Sequence, residues 1–408
     1  MSTDSAINHI VILGAGQSAA SAAKTLRNGG YTGDLTLIGE ENQLPYERPP
    51  LSKAFLTGTA TEESVCLLTQ SFVEQHDIDF RRNVSAKSID REAQHVILSD
   101  GAQVPYDRLL IATGSHPRHL GNDLDSKSNV FYLRTIEDAR AIRSALVPGG
   151  TLLALGAGWI GLEVAATARR LGMDVVVVEM ADRACGRSLP NEVGEALIKL
   201  HEGHGTRVLL ATQVSTIEGT DKVERVTLNN GEVLDISAVI VGIGAVANDD
   251  LARAAGLEVV DTGGIVVDRF TRTSDPHIYA SGDVAVVKAG ANLVRFESWA
   301  NAQDQGVAAA KNMLGQDISY EPNTWFWSDQ YDINIQMIGR ITDPGATVHT
   351  RPGEDGRFTN FYVMNGRIEG VITFGQPRDM SFARKLIQKG YAVKGDELVT
   401  TENLRKLI

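Results

Sequence analysis

The amino-acid sequence predicts an α/β fold with two Rossmann-like domains and a small C-terminal α+β domain. Three observations indicate this architecture. A glycine-rich strand-turn-helix motif occurs twice, an apolar strand ending in glycines follows each motif, and the last segment alternates strands with a terminal helix. The chain has 408 residues, which is long enough for two or three domains.

The first motif lies close to the N-terminus. An apolar run typical of a buried strand at 9–13 is followed by Gly-Ala-Gly-Gln-Ser-Ala at 14–19 and then by a helical pattern. This is the G-x-G-x-x-A form of the dinucleotide-binding motif. In it, Gly14 permits the tight turn, Gly16 lets a pyrophosphate approach the backbone, and Ala19 lets the helix pack close to the sheet.

The second motif repeats this arrangement. A strand at 151–155 is followed by a full G-x-G-x-x-G at 156–161 and by another helix. In each half the next strand ends at an acid, Glu40 in the first and Glu179 in the second, where a carboxylate accepts hydrogen bonds from a ribose. Two complete matches are not expected by chance, so the chain is predicted to hold two dinucleotides.

Glu179 also bears on which nicotinamide cofactor is used. A carboxylate at this point binds the adenosine ribose 2′-hydroxyl and repels a 2′-phosphate, which favours NADH over NADPH. Arg183 and Arg187 lie nearby, and an arginine is able to pair with a 2′-phosphate. While Glu179 stands, we interpret both arginines as solvated loop charges.

The domain boundaries follow from a second pair of similar strands. The apolar run at 238–244 mirrors the run at 109–114, so the second nucleotide domain is predicted to be inserted into the first. The expected domains are a discontinuous one at 1–114 and 245–323, an inserted one at 115–244, and a C-terminal one at 324–408.

Three further places are candidates for cofactor contacts. Asp283 follows a short strand and is placed to bind the ribityl chain of a flavin; it is also a candidate helix N-cap, a role that does not exclude the first. Lys53 follows a proline-rich turn, where a helix is expected to begin at Ser52; most lysines are solvated, but this position favours a cofactor contact. The aromatic segment at 325–331 is typical of a core, although one or two of its rings are candidates to wall a flavin.

Composition excludes several classes of protein. The formal net charge of -12 argues against nucleic acid or an anionic membrane as a partner of the whole surface. No apolar run is long enough to span a bilayer, and residues 1–6 lack the features of a signal peptide. Cys66 and Cys185 form no paired redox motif and are expected to be reduced thiols of a cytoplasmic protein. We expect a monomer or weak dimer and no metal site.

These motifs resemble those of the flavoprotein pyridine-nucleotide reductases with a glutathione-reductase-like fold, and within them the NADH-dependent ferredoxin reductases that feed oxygenases. The similar stretches are 14–19, 49–53, 112–114, 132–135, 156–163, 273–284, 297–298 and 325–331. The resemblance implies FAD at the first motif and NADH at the second. The FAD contacts it implies are Gly14, Gly16, Ala19, Glu40, Lys53, Val84, Ala112, Arg134, Asp283 and Trp299. The NADH contacts it implies are Gly156, Gly158, Ile160, Gly161, Glu163, Glu179 and Gly244. The departures are Ala19 in place of the last glycine and Trp299, where related chains can carry an aliphatic residue.

The cysteines narrow the reaction that this resemblance implies. Disulfide reductases of this fold need a C-x-x-x-x-C pair after the first nucleotide unit, and related single-cysteine enzymes need a thiol near 44–53; Ala54 and Phe55 stand there instead. A flavin is therefore expected to be the sole redox centre. It would take a hydride from NADH and release electrons singly to a [2Fe–2S] ferredoxin that serves a P450 or Rieske oxygenase. The charge of Lys53 is expected to favour reduced, anionic flavin.

Two other functions remain open from the sequence. One is an NADH oxidase or a reductase of a quinone or another small acceptor, and the other is an FAD- and NADH-binding signalling protein with little turnover. A ferredoxin-docking patch should be basic, although each candidate cation also fits an ordinary solvated helix face. These candidates are Arg295, Arg378, Arg384, Lys385 and Lys389.

Overall fold

The computed structural model describes residues 7–121, 123–289 and 292–407. The N-terminal segment at 1–6, for which the sequence predicts no signal peptide, lies outside the described residues. The chain forms two compact units. The first unit comprises Met1–Arg48, Thr61–His116 and Ala245–Thr324, and the second unit comprises Pro49–Ala60, Pro117–Gly244 and Trp325–Ile408.

The first unit is built on a five-stranded parallel sheet. Its central strand, His9–Leu13, pairs on one side with Asp34–Ile38 and on the other with Arg108–Ile111, and the outer strands are Ile78–Arg81 and Ile278–Ala280. The strand order reverses at the central strand, and the carboxyl ends of strands at such a point are where open α/β sheets bind ligands.

Two helices of the first unit pack against each other, Gln17–Asn28 and Trp299–Met313. Small residues make this close packing possible, since Ala19, Ala22 and Ala309 are all fully buried. The remaining helices of this unit are Gln70–Gln75 and Asp250–Ala254. Its remaining strands are Ala86–Asp90, His95–Leu98, Gln103–Pro105, Ser115–Pro117 (which ends in the second unit), Ala245–Ala247, Ile265–Val267, Ala285–Ala289 and Asn292–Arg295.

The second unit contains a parallel sheet of the same design. Thr151–Leu155 lies at the centre between Asp174–Val178 and Ala238–Val241, with Arg207–Leu209 and Val130–Phe131 at the edges. The side chains of the central strands are almost entirely buried, as the uninterrupted apolar runs predict for a sheet covered on both faces. Ile136–Ala145, Trp159–Arg170 and Asn191–Gly203 are the helices that accompany this sheet.

The C-terminal segment also belongs to the second unit. It forms a five-stranded antiparallel sheet in the order Phe326–Gln330, Ile333–Gly339, Arg367–Phe374, Phe358–Met364 and Thr347–Pro352. The helices Pro377–Lys389 and Gly395–Thr400 pack against this sheet through Met380, Ala383 and Leu398. The predicted α/β class with a small C-terminal α+β region is thereby confirmed. A small antiparallel sheet completes the unit, with strands Val214–Glu218, Arg225–Leu228 and Val233–Asp235.

Two predicted helices differ from the structure. The helix expected from Ser52 is absent, because the N–H groups of Lys53 and Phe55 both bond the Pro50 carbonyl, and Pro49–Ser52 is a 3-10 helix that continues into turns. The sequence also predicts a long helix from Val294 to Leu314; this helix begins at Trp299 instead, because residues 292–295 pair as a strand with Ala285–Ala289. The prediction also missed the helix Gln70–Gln75.

Among the residues that the structure describes, no helix combines the length and apolar character needed to cross a lipid bilayer.

Candidate functional site

The two glycine-rich turns have matching backbone geometry at their first glycine. The N–H of Gly14 donates to Ile38 O, and the N–H of Gly156 donates to Val178 O, each at 2.8 Å. Gly14 has φ +110 and Gly156 has φ +101. A Cβ on Gly14 would lie 2.2 Å from the Ala112 carbonyl oxygen, and one on Gly156 would lie 2.5 Å from the Gly242 carbonyl oxygen. In each half, only glycine fits between the turn and the strand that returns beside it.

The last position of the motif differs between the halves. A Cβ on Gly161 would lie 2.2 Å from the Gly156 carbonyl oxygen, so the second turn requires glycine there. In the first turn Ala19 occupies this position and is fully buried. The first turn therefore leaves room for one methyl group that the second turn does not have.

The first turn has a shape and chemistry that suit a pyrophosphate-containing group. A Cβ on Gly16 would meet nothing within 4 Å, so the backbone is open to an approaching ligand. Gly16 also precedes the helix Gln17–Asn28, whose first N–H groups are donors for an anion. Gln17 adds a buried Oε1 atom that has no hydrogen-bond partner among the described residues. The residues present fit an adenine dinucleotide such as FAD.

Other predicted FAD contacts lie at or near the carboxyl edge of the same sheet. Glu40 is exposed two residues after the strand Asp34–Ile38, and Val84 is half-buried with its N–H bonded to the Gly39 carbonyl. Asp283 accepts a hydrogen bond from Ser115 Oγ at 2.8 Å. Trp299 is the first residue of its helix and is half-buried.

Asp283 does not cap a helix. It lies inside a single 3-10 turn, Gly282–Val284, that Ser281 precedes and the strand Ala285–Ala289 follows. Of the two roles considered for Asp283, helix capping is therefore wrong.

Two predicted FAD contacts, Lys53 and Arg134, belong to the second unit. Arg134 is half-buried, and its backbone N–H donates to Asp138 Oδ2 at 2.9 Å, next to the capping box that Thr135 and Asp138 form at the start of the helix Ile136–Ala145. Lys53 has the arrangement described below.

Glu179 is held by the turn that precedes the second nucleotide helix. Its Oε2 accepts a hydrogen bond from the Ala157 N–H and its Oε1 accepts one from the Ala181 N–H, each at 2.8 Å. The carboxylate is thus fixed at the end of the strand Asp174–Val178, beside Gly156 and Gly158. Ile160 is 41% exposed on the first turn of the helix.

Gly244 and Arg187 lie close together in the second unit. A Cβ on Gly244 would lie 2.9 Å from Arg187 Nη2. The Arg187 guanidinium therefore lies beside the glycine-rich end that follows the strand Ala238–Val241, while Arg183 and Arg187 are both exposed, in agreement with their interpretation as solvated loop charges.

Lys53 and Glu163 form an ion pair. Lys53 Nζ lies 2.6 Å from Glu163 Oε2, and their side chains are 20% and 5% exposed. Ser52 Oγ donates to the same carboxylate oxygen at 2.5 Å, and Ser328 Oγ donates to Oε1 at 2.6 Å. Both oxygens of the buried Glu163 carboxylate therefore have partners, one ammonium and one hydroxyl group at Oε2 and one hydroxyl group at Oε1.

Sequence reasoning named Lys53 and Glu163 separately, but it missed the pair and both serines. Ser52 lies 111 residues before Glu163, and Ser328 lies 165 residues after it, so no local pattern joins them. The signal available was weak: Glu163 lies on an alanine-rich, buried helix face, where a carboxylate needs a partner.

The two cysteines are free; Cys185 is buried and Cys66 is half-buried. Burial raises the pKa of both thiols, which leaves them poor nucleophiles at neutral pH. Neither thiol forms a disulfide within the part of the chain that the structure describes.

Four of the predicted docking cations share the helix Pro377–Lys389, where Arg378, Arg384, Lys385 and Lys389 are all exposed. The Arg384 guanidinium lies over the Trp325 ring at 5.0 Å. Arg295 belongs to the first unit and pairs with Glu297 at 2.6 Å.

The chain belongs to the pyridine nucleotide-disulphide oxidoreductase family, whose model matches residues 8–306. A second family model, that of the reductase C-terminal domain, matches residues 325–408. The predicted resemblance to flavoprotein pyridine-nucleotide reductases is confirmed.

Known relatives are similar along almost their whole length. Rhodocoxin reductase of Rhodococcus erythropolis is 39% identical over 398 residues, which cover 96% of this chain and 92% of the relative. The ferredoxin–NAD(+) reductase component of the p-cumate 2,3-dioxygenase system of Pseudomonas putida is 37% identical, with 96% of each chain covered.

A solved structure is equally similar. The crystal structure of the covalent putidaredoxin reductase–putidaredoxin complex contains a chain with a TM-score of 0.92 and 35% identity, covering 99% of this chain and 98% of that one. At this identity and coverage, the two chains share the fold from end to end.

Proposed function

We propose that this protein is an FAD-dependent reductase that passes electrons from NADH to a [2Fe–2S] ferredoxin, which in turn supplies an oxygenase of the P450 or Rieske type. The observation that carries the proposal is the pair of equivalent nucleotide turns in a chain whose two cysteines are buried or half-buried and free. Names of relatives support it, since two of them are reductase components of dioxygenase systems.

FAD supplies the link between a two-electron donor and a one-electron acceptor, since a flavin accepts a hydride and releases electrons singly. The residues proposed to hold it are Gly14, Gly16, Ala19, Glu40, Lys53, Val84, Ala112, Arg134, Asp283 and Trp299. The two glycines admit the pyrophosphate, Glu40 accepts hydrogen bonds from the ribose, and Asp283 binds the ribityl hydroxyls. Lys53 contributes a positive charge that favours reduced flavin.

The residues proposed to hold NADH are Gly156, Gly158, Ile160, Gly161, Glu163, Glu179 and Gly244. Glu179 binds the adenosine ribose and repels a 2′-phosphate, which makes NADH the preferred donor. The backbone bonds from Ala157 and Ala181 support this role because they fix the carboxylate in one orientation.

The domains proposed to carry these sites are an FAD domain at 1–114 and 245–323, an NADH domain at 115–244 and a C-terminal domain at 324–408. The two parallel sheets support this division, because each contains one glycine-rich turn. The basic helix Pro377–Lys389 is the proposed element for ferredoxin docking. We further propose that the protein works in the cytoplasm, which the two free thiols support, and that it is a monomer or weak dimer.

Steady-state reduction of cytochrome c by the purified yellow protein tests the proposal. The assay is run with NADH or NADPH, in the presence and absence of a panel of [2Fe–2S] ferredoxins. We expect turnover that requires both NADH and a ferredoxin. Rapid consumption of NADH without any ferredoxin would indicate an oxidase or a small-acceptor reductase instead, and flavin binding without turnover would indicate a signalling role.

A further inference from the structure

A buried row of hydrogen bonds continues from Glu163 into the C-terminal sheet. Ser328 Oγ, which donates to Glu163, lies 3.1 Å from Gln330 Nε2, and Gln330 Oε1 lies 2.6 Å from His201 Nε2. The exposed fractions of Ser328, Gln330 and His201 are 0%, 1% and 0%. All three side chains are therefore shielded from solvent, and they bond to one another.

The carboxylate sets the direction of every bond in this row. An ionised carboxylate only accepts, so the single hydroxyl proton of Ser328 points at Glu163. Ser328 Oγ must then accept from Gln330, which places the amide nitrogen toward Ser328 and the amide oxygen toward His201. That oxygen requires a donor, so His201 carries its proton on Nε2. Burial lowers the pKa of His201 to about 4, which leaves Nδ1 unprotonated at neutral pH.

The far end of the row is held in place by the hairpin turn. Tyr331 has φ 53, a left-handed conformation that costs a non-glycine residue free energy. It is stabilised there by stacking on His204 with a ring distance of 3.7 Å, by Thr206 Oγ1 at 3.1 Å from its hydroxyl, and by Arg170, which donates to its carbonyl oxygen. The Tyr331 hydroxyl lies 3.4 Å from His201 Nδ1, on the side where neutral His201 accepts.

We propose that Gln330 and His201 are positioning residues for the Lys53–Glu163 pair. They hold the Ser328 hydroxyl in the orientation in which it donates to Glu163 Oε1. Ser52 and Lys53 contact the other carboxylate oxygen, Oε2, directly. The reaction served is the transfer of reducing equivalents from NADH to flavin, so this role rests on the proposed function. The charged and titratable groups that face Glu163 and His201 are Lys53, Cys185, His204 and Tyr331.

The tautomer of His201 tests the proposal without turnover. Nitrogen-15 NMR of the histidine-labelled holoenzyme, with the His201 signals assigned from the variant His201→Gln, should show a neutral ring with its proton on Nε2. A proton on Nδ1, or a cationic ring at neutral pH, would overturn the proposed direction of the row. This measurement needs neither NADH nor a ferredoxin, so it is decisive even if the proposed function fails.

The pH profile of flavin reduction by NADH in single turnovers tests the effect on Glu163. In Gln330→Leu the rate should fall by about tenfold at acid pH and stay unchanged at alkaline pH, because the Ser328 hydroxyl is no longer held toward the Glu163 carboxylate. The acid side of the profile is thereby displaced to higher pH. The pH dependence of the flavin midpoint potential should show the same displacement. A uniform loss of rate at every pH would show a merely structural role and overturn the proposal.

Matched variants separate the row from general damage. Gln336→Leu lies on the adjacent strand and bonds Trp325 and Asn334 instead, so its pH profile should not move. Ser328→Ala should move the profile at least as far as Gln330→Leu, and the double variant should move it no further than Ser328→Ala, because the two residues act in series. Additive shifts would contradict the proposal. His201→Gln, which retains an N–H donor, should restore the profile that His201→Leu loses. Should Gln330→Leu fail to fold, Ser328→Ala measures the same shift.

Discussion

Lys53 Nζ lies 2.6 Å from Glu163 Oε2 and joins the turn after Pro49 to the helix of the second nucleotide motif. The two side chains are largely buried, so each ion depends on the other for the solvation it loses. Removing one partner leaves an uncompensated charge, whereas removing both charges does not.

We therefore expect Lys53→Met to lower the free energy of unfolding by about 3 kcal/mol, as measured by chemical denaturation of the holoprotein. The double variant Lys53→Met/Glu163→Gln should recover part of this loss. The pair of Arg207 and Glu232 at 2.7 Å, whose side chains are 52% and 32% exposed, provides the control, since Arg207→Met should cost less than about 1 kcal/mol. Equal losses in the free energy of unfolding in Lys53→Met and Arg207→Met would contradict this expectation.

Substitutions in the two turns should separate the two cofactors. Gly14→Ala places a Cβ 2.2 Å from the Ala112 carbonyl oxygen and should yield protein without flavin absorbance. Gly156→Ala places one 2.5 Å from the Gly242 carbonyl oxygen and should yield yellow protein that NADH reduces poorly. Gly203→Ala, where a Cβ meets nothing within 4 Å, is the control. Loss of flavin from Gly156→Ala alone would reverse the assignment of the two turns.

Glu179→Gln should reduce the preference for NADH. The variant retains an oxygen that accepts one backbone hydrogen bond but loses the charge that repels a 2′-phosphate. We expect the ratio of kcat/KM for NADH to that for NADPH to fall by about tenfold or more. Asp174→Asn, which removes an exposed carboxylate at the start of the same strand, should leave this ratio unchanged. An unaltered ratio in Glu179→Gln would show that another residue sets the preference.

Protein stability should depend on pH through His201. Burial lowers the pKa of this histidine from 6.5 to about 4, so the unfolded chain binds its proton more readily than the folded chain. This contribution to stability is complete above about pH 6.5 and is lost as the pH falls. The loss in the free energy of unfolding reaches about 3 kcal/mol near pH 4. Denaturation curves across this range should show the loss, and His201→Gln should remove this component. The exposed His277, changed to glutamine, should leave it in place.

Sequence patterns predicted the features of the fold that depend on short segments. The strands that precede Gly14 and Gly156 are predicted from the sequence, and so is a helix that starts with capping-type residues at Thr135, because periodicity, glycine spacing and capping chemistry act within a few residues. The helix expected at Ser52 failed because the Pro50 carbonyl accepts two N–H groups there. Helix propensities of single residues do not predict which carbonyl these N–H groups will bond.

The candidate site was predictable only in part for the same reason. The two turns are predicted by their glycine spacing. The partners of Glu163, in contrast, are Ser52, Lys53 and Ser328, which are distant from it in sequence. Such pairings arise from the fold as a whole. The buried His201 carried no recognisable signal, since its role depends on Gln330, 129 residues away.

The state of the two native thiols makes the protein a convenient subject for spectroscopic labelling. Cys185 is buried, Cys66 is half-buried, and burial raises the pKa of both, so both thiols will react slowly with electrophilic labelling reagents, which require the thiolate. A cysteine engineered at an exposed position will outcompete both. Fluorophores or spin probes can then be attached at such positions without first removing the two native cysteines. Distances between the labelled positions can be measured in the active enzyme.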